Sequence, residues 1–497
     1  MTQLNSTSTV RALLLPLLLG TLTAHAAASD LHVDDDGMDY PNAGYTSLQA
    51  AVDAAKHWDT IHVHAGTYTG TGSEVVYIYE KPLDLIADST NGDVVIDGQN
   101  ARRCMTVINR DAEHEFVYGD ENCIHIDGFK IINGLAQSGL GINSQHGGGI
   151  YAEGRVQLWY CEVSNCRSDG NGGGIAAFNP ELTSDSTDAD GHDYHPYTYL
   201  KVISLTVESC VANGDGGGIW NWESEIYLGG TTSIKMNGAF GRGGGVATHH
   251  WYAADAYTNL DWGIEVWSNT SEGDGGGVFA EGNQGHILFR DVEIVSNRAL
   301  AGDGGGVCLF NARAFYGELS LVGNDTDQTV AGGSGGNGGG LAARSSSFVW
   351  SSYPGKASLV VLGNTADSSG GGIFAKDSDI DLAGAQFEEN LAGGKGGGMA
   401  VISCTDFDLE EVTFLENIGR VAGGLYLKNT YGTLTDSSVL YNKGFMNGGL
   451  NGAGITIDGG SAELAISGTN FWQNTKKHIM KANGGKFTDG GGNSVQP

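Results

Sequence analysis

The stretch GDGGGV at residues 273–278 returns at residues 302–307, and its isoleucine form GDGGGI stands at residues 214–219. With 81 glycines but only seven prolines and no Gly-x-y period, the chain is not collagen-like, and internal repetition is the remaining explanation. Three glycines followed by one aliphatic residue end at Ile150, Ile175, Ile219, Val246, Val278, Val307, Leu341, Ile373 and Met399, with shorter echoes at Leu425 and Leu450. An asparagine stands nine positions before several of these aliphatics, as Asn237, Asn269, Asn364 and Asn390. Asn297 and Asn324 keep the same order with extra residues between, and Cys166 and Cys210 take the asparagine's phase in two earlier repeats. One unit is therefore about 26 to 28 residues long.

Two ligand-binding glycine motifs do not fit this pattern. A phosphate loop needs G-x-x-x-x-G-K-[ST] after a strand, and the chain has none. Calcium-binding rolls repeat every nine residues or so with aspartate after the glycines, whereas Asp215, Asp274 and Asp303 precede theirs. Between the glycine runs lie short alternating stretches such as residues 287–295 (ILFRDVEIV), which read as strands. A unit holding about three short strands cannot bury its own apolar face, so the units must stack, pairing strands about 4.8 Å apart. The fold expected is all-β: a right-handed parallel β-helix with glycines at one corner and asparagine amides hydrogen-bonded along another.

Residues 46–56 (TSLQAAVDAAK) place Leu48, Ala51, Val52 and Ala55 on one helical face, with Thr46 and Gln49 at capping-box spacing. A stack needs a lid over its exposed end. Residues 27–70, comprising this helix, a strand at 60–63 and a turn at 65–68, are read as the N-terminal cap, and residues 71–497 as the β-helix. The pattern SLQAAVDAA…DTIHVHAGTY resembles the N-terminal cap of bacterial pectate-lyase-like parallel β-helix proteins. The paired motifs GGG-[ILVM] and F-x-x-N, the latter at residues 387–390 (FEEN), 414–417 (FLEN) and 471–474 (FWQN), resemble the repeats of chlamydial polymorphic outer-membrane proteins. The resemblance covers about residues 30–480 and implies the architecture; the same fold carries many activities, so it implies no single function. No C-terminal barrel of the chlamydial kind is read here, nor any signature of the pectate lyase, polygalacturonase, pectin methylesterase or alginate epimerase families.

Residues 1–26 read as an export signal: Arg11, an apolar core at residues 12–19 (ALLLPLLL), and Ala24-His25-Ala26 as the cleavage pattern. That core is too short to span a bilayer, and no later run reaches 18 apolar residues. A secreted or cell-surface, outer-membrane-associated location is therefore expected. A net charge of -32 repels phosphate backbones, so nucleic acid is not an expected partner. The seven cysteines cannot all pair within one chain, and Cys166 with Cys210 is either a disulfide or a stack of two small apolar residues.

Insertions near residues 176–200, 247–262 and 342–357 lengthen three repeats and are expected to leave the coil in one phase, after the strand that follows the glycines. In solenoids such loops gather on the binding face. The first holds His192, Tyr194, His195 and Tyr197, the second His249, His250, Trp251 and Tyr252, and the coil between them carries Trp220 and Trp222. Flat aromatics beside polar groups suit sugar rings, so these residues are candidates for binding a polysaccharide or cell-surface glycan. The bland reading is that the same aromatics pack the loops onto the stack. Asp188, Asp190 and Asp193 surround Gly191 in a way that makes calcium a candidate, although the loop lacks the terminal bidentate glutamate, and no cofactor is required. His249 and His250 are the best acid–base candidates should the chain be an enzyme. Three functions thus remain open: a scaffold presenting a glycan-binding face, a secreted polysaccharide lyase or glycoside hydrolase acting in a loop-lined groove, and a purely structural surface protein.

Overall fold

The coil that begins at GDGGGV runs through Val278–Glu281, His286–Val295 and the two-residue strand Arg298–Ala299 before the next glycine run. Val278 pairs in parallel with Val246 of the preceding coil and Val307 of the following one, and the same stacking repeats along the chain. This is a parallel β-helix. The computed structural model describes residues 28–110, 122–139, 143–180, 198–252, 256–327, 335–350, 358–445, 454–474 and 477–496. Among them, the longer strands form one 42-stranded sheet and the two-residue strands an 11-stranded one.

The aliphatic residues after the glycines form a continuous interior row. Ile150, Ile175, Ile219, Val246, Val278, Val307, Leu341, Ile373, Met399 and Leu425 are partners in successive pairings, all essentially inaccessible to solvent. The next member is Ile455, paired with Leu425. The expected echo at Leu450 lies outside the described residues.

Each glycine of the run answers a different constraint. Gly275 has φ +67°, which an L side chain rarely adopts. A Cβ on Gly276 would lie 2.3 Å from the backbone carbon of Arg298, and one on Gly277 2.7 Å from the carbonyl oxygen of Gly306 in the next coil. The corner turns first and then presses its backbone against its neighbours.

The asparagine row runs from Asn237 through Asn269, Asn297, Asn324, Asn364, Asn390, Asn417 and Asn442 to Asn474. At each step the amide oxygen of one asparagine accepts both the backbone N–H and a side-chain N–H of the preceding one, as Asn390 does from Asn364 at 3.0 Å for each. The remaining amide hydrogen goes to a backbone carbonyl, for Asn390 that of Val361 at 2.8 Å. Cys210 continues the row by donating its N–H to Asn237. Cys166 and Cys210 are free, buried thiols, so the stacked-residue alternative is the one realised.

Before every asparagine of the row stands a residue in the left-handed region, including Met236, Ser268, Ser296, Glu389, Glu416 and Tyr441. At this second corner the left-handed position is glycine in only two coils, Gly323 and Gly363.

The helix Leu48–Ala54 buries Leu48, Ala51 and Val52 in the core of the first coils. Its cap is Ser47, whose hydroxyl accepts the N–H of Ala50, and not Thr46. Gln49 does not turn back to the cap; its amide makes paired bonds to the backbone of Tyr77 and fastens the helix to the strand Glu74–Tyr79. The expected turn at 65–68 contains a short strand, Gly66–Tyr68.

The first two insertion segments lie between the strands Ile175–Phe178 and Tyr199–Ile203 and between Val246–His249 and Tyr257–Trp267, with residues 181–197 and 253–255 outside the described residues. In the third segment Leu341–Arg344 turns through Ser345 into a further paired strand, Ser347–Trp350, and residues 351–357 lie outside the described residues.

Candidate functional site

Side chains alternate along a strand, so the first and third residues after each interior aliphatic point away from the core. On the coils from Tyr151 to Phe279 these outward positions are mostly aromatic. The ring of Trp220 stacks between His146, at 4.9 Å, and Phe178, at 5.8 Å. Trp222 follows at 5.9 Å, then His249 at 5.5 Å and Phe279 at 5.7 Å. The result is a ribbon of rings crossing successive coils. Trp220 is 3% exposed and its indole N–H has no hydrogen-bond partner among the described residues, while Phe178 and Trp222 are half-buried.

Beside the ribbon runs a second ladder, formed by the residue before each glycine run. Asn171 accepts the N–H of Asp215 at 2.8 Å, Asp215 that of Arg242 at 2.7 Å, Asp274 that of Asp303 at 2.7 Å, and Asp303 that of Asn337 at 2.8 Å. The aspartate of GDGGG thus accepts from the backbone of the next coil and leaves its other oxygen facing the outer surface.

There the two ladders meet in one charged cluster. The Arg242 guanidinium donates to Asp215 at 3.1 Å and to Glu281 at 3.0 Å, and lies over the Phe279 ring at 4.3 Å. His249 sits between the same carboxylates: Nδ1 is 3.2 Å from Glu281, and Nε2 is 3.3 Å from Asp215 but off hydrogen-bond alignment. Burial alone would lower the His249 pKa, but Asp215 and Glu281 outweigh it and raise it. Burial would raise both carboxylates, and His249 with Arg242 instead holds them below their ordinary range. Arg242 compensates one carboxylate of the pair, and His249, when protonated, the other. Its N-terminal neighbour is similar: Glu153, fully buried, bonds Arg110 and the Tyr151 hydroxyl, and the Arg103 guanidinium lies 4.9 Å from the Tyr151 ring centre.

The sequence candidates are distributed unevenly over this surface. Trp220, Trp222 and His249 belong to the ribbon. His250 points the other way, into the interior, where its Nε2 meets the Thr248 hydroxyl at 2.9 Å and burial pushes its pKa down to about 3. Trp251 is half-buried and Tyr252 is exposed; the backbone N–H groups of both donate to the buried Glu223 carboxylate, which pins the loop. His192, Tyr194, His195 and Tyr197, and the calcium candidates Asp188, Asp190 and Asp193, lie outside the described residues. Asp215, Arg242 and Glu281 were not singled out as ligands from sequence. The one signal available was the charged residue before several of the glycine runs, as Asp215, Arg242, Asp274 and Asp303. The acidic run at residues 34–36, which reads as a solvated edge, contains the fully buried Asp34, whose carboxylate accepts the N–H groups of Asp36, Gly37 and Tyr40. Oxygens of Asp34, Asp36 and Asp39 come within 4.8 Å of one another.

No helix among the described residues is long and apolar enough to cross a membrane. The chain matches no protein-family model, and no curated protein is similar to it.

Proposed function

We propose that this chain is an exported β-helix scaffold whose outer ribbon binds glycans at the cell surface or outside the cell. The observation that carries this reading is the juxtaposition of half-exposed rings, Phe178 and Trp222, with the partly exposed Arg242–Asp215–Glu281 cluster. Rings of this kind take the C–H faces of a sugar, and carboxylate and guanidinium groups beside them take its hydroxyls. Because these charges neutralise one another and the whole chain carries -32, uncharged glycans fit better than acidic ones. The resemblance to chlamydial surface-protein repeats and the signal-like N-terminus support the same placement. A lyase or hydrolase at this site is less well supported. His249 is 3% exposed, hydrogen-bonded to Glu281 through Nδ1 and held 3.3 Å from Asp215 at Nε2, which suits a buried structural group better than a proton carrier.

The test is a glycan array followed by calorimetry, with Trp222→Ala and Trp251→Ala as variants. Binding to a neutral oligosaccharide, weakened at least about tenfold by Trp222→Ala, is expected. New reducing ends or unsaturated products from incubated polysaccharides would establish the enzymatic alternative instead. A flat array with no products would leave the purely structural one.

A further inference from the structure

The strands Tyr199–Ile203, Glu225–Gly229, Tyr257–Trp267 and His286–Val295 pair in that order on a face the ribbon does not use. Leu200, Ile226, Thr258 and Ile287 point inward and are buried, so the residues alternating with them look outward. One outward row runs through Tyr199, Glu225, Tyr257 and His286, all half-buried, and the Tyr257 and His286 rings stack at 5.7 Å. Glu225 is the exception in this row of rings. Its carboxyl has no hydrogen-bond or ion-pair partner among the described residues, and burial alone pushes its pKa up to about 7. The nearby charges are placed elsewhere: Asp261 is bonded to Arg290, and Lys201 stands opposite Tyr227 in the next outward row. In that row Asn259 also leaves a buried amide oxygen without a partner among the described residues.

We propose that this face binds an alkylammonium group of the kind that ends a lysine side chain, with Glu225 as its counter-ion and Tyr199 and Tyr257 as its walls. An unpaired carboxylate partly removed from water is costly, and a cation offsets that cost where a neutral or anionic ligand does not. The row supplies the rest. Strands about 4.8 Å apart set a tyrosine on either side of Glu225, and a ring face attracts an ammonium within about 6 Å. An ammonium carries more N–H donors than Glu225 uses, and the Asn259 oxygen, brought outward by a half-turn of its amide, accepts another. The net charge of -32 draws such a ligand toward the surface. None of these residues belongs to the ribbon, so the site stands independently of the glycan reading.

Calorimetric titration of the full chain with Nα-acetyl-lysine methylamide is the test, with its Nζ-acetylated analogue as the uncharged comparison. Saturable binding of the amine is expected, at least about tenfold tighter than that of the analogue. Glu225→Gln should weaken it at least about tenfold and Tyr257→Leu to a lesser degree, with Glu265→Gln, an exposed carboxylate on the same strand as Tyr257, as an unaffected control. Because Glu225 is raised to about 7, binding should tighten from about pH 6 to about pH 8 as it ionises. His286, which gains charge on acidification, acts in the same direction, and the part of the pH dependence lost in Glu225→Gln belongs to Glu225. Proton release needs no variant: near pH 7 the unaltered chain should release about half a proton per amine bound, read from buffers of different ionisation enthalpy. Absence of saturable binding, equal binding of the acetylated analogue, binding indifferent to Glu225→Gln in folded protein, or no proton release would each overturn the proposal.

Discussion

Removing one amide from the asparagine row disturbs four hydrogen bonds at once. In Asn390→Ala, the backbone N–H and side-chain N–H of Asn364, the carbonyl of Val361 and the amide oxygen of Asn417 all lose a partner in a buried setting. A loss of about 3 kcal/mol or more is expected in denaturant unfolding, and an unchanged midpoint would show that the row does not stabilise the stack. The glycines allow a sharper comparison. Gly363 has φ +62° with open space around its missing side chain, so Gly363→Ala should cost about 1 kcal/mol of backbone strain. Gly276→Ala drives a methyl into the backbone of Arg298 and should cost about 3 kcal/mol or more, measured the same way. The asparagine row and the three-glycine corner that contains Gly276 were legible from phase alone. The left-handed corner before each asparagine was not, because Met236, Glu389 and Tyr441 carry no turn preference and are held there by the coils on either side.

The elements that carry the candidate site were legible as strands, but their facing was only partly so. His249 ends the strand Val246–His249 and His250 follows it, and the two part company, one to the charged cluster and one to the interior. The partners Asp215 and Glu281 are 34 and 32 positions from His249, and only stacking brings them together. This cluster sets a pH dependence. His249 is raised in the folded state, so its contribution is fully present below its unfolded value of 6.5 and is lost as pH rises through the elevated folded value. Asp215 and Glu281 are depressed, so theirs is present above their unfolded values of 3.8 and 4.5 and is lost as pH falls through the depressed ones. Unfolding measured from pH 4 to 9 should therefore show the largest stability gap between the unaltered chain and His249→Gln near pH 5 to 6, narrowing toward alkaline pH. A gap that widens with pH would contradict the cluster as described.

At the scale of the molecule, each coil touches mainly the coils before and after it, and stability is a sum of such neighbour terms. That is why the architecture could be inferred from the 26-to-28-residue period and three-strand units, while insertions of differing length had to be located individually. The amide row adds something to this picture. Every asparagine presents the same acceptor to one neighbour and the same donor to the other, so any two members can be joined. Asn364 could dock on Asn417 as it now docks on Asn390. Excising residues 365–390 should then give a shorter protein that still melts cooperatively and keeps its β-type circular dichroism. Coil number becomes a freely adjustable quantity: the chain can lengthen or shorten by whole interchangeable modules, and the distance between its first coils and its ribbon can be retuned without redesigning either.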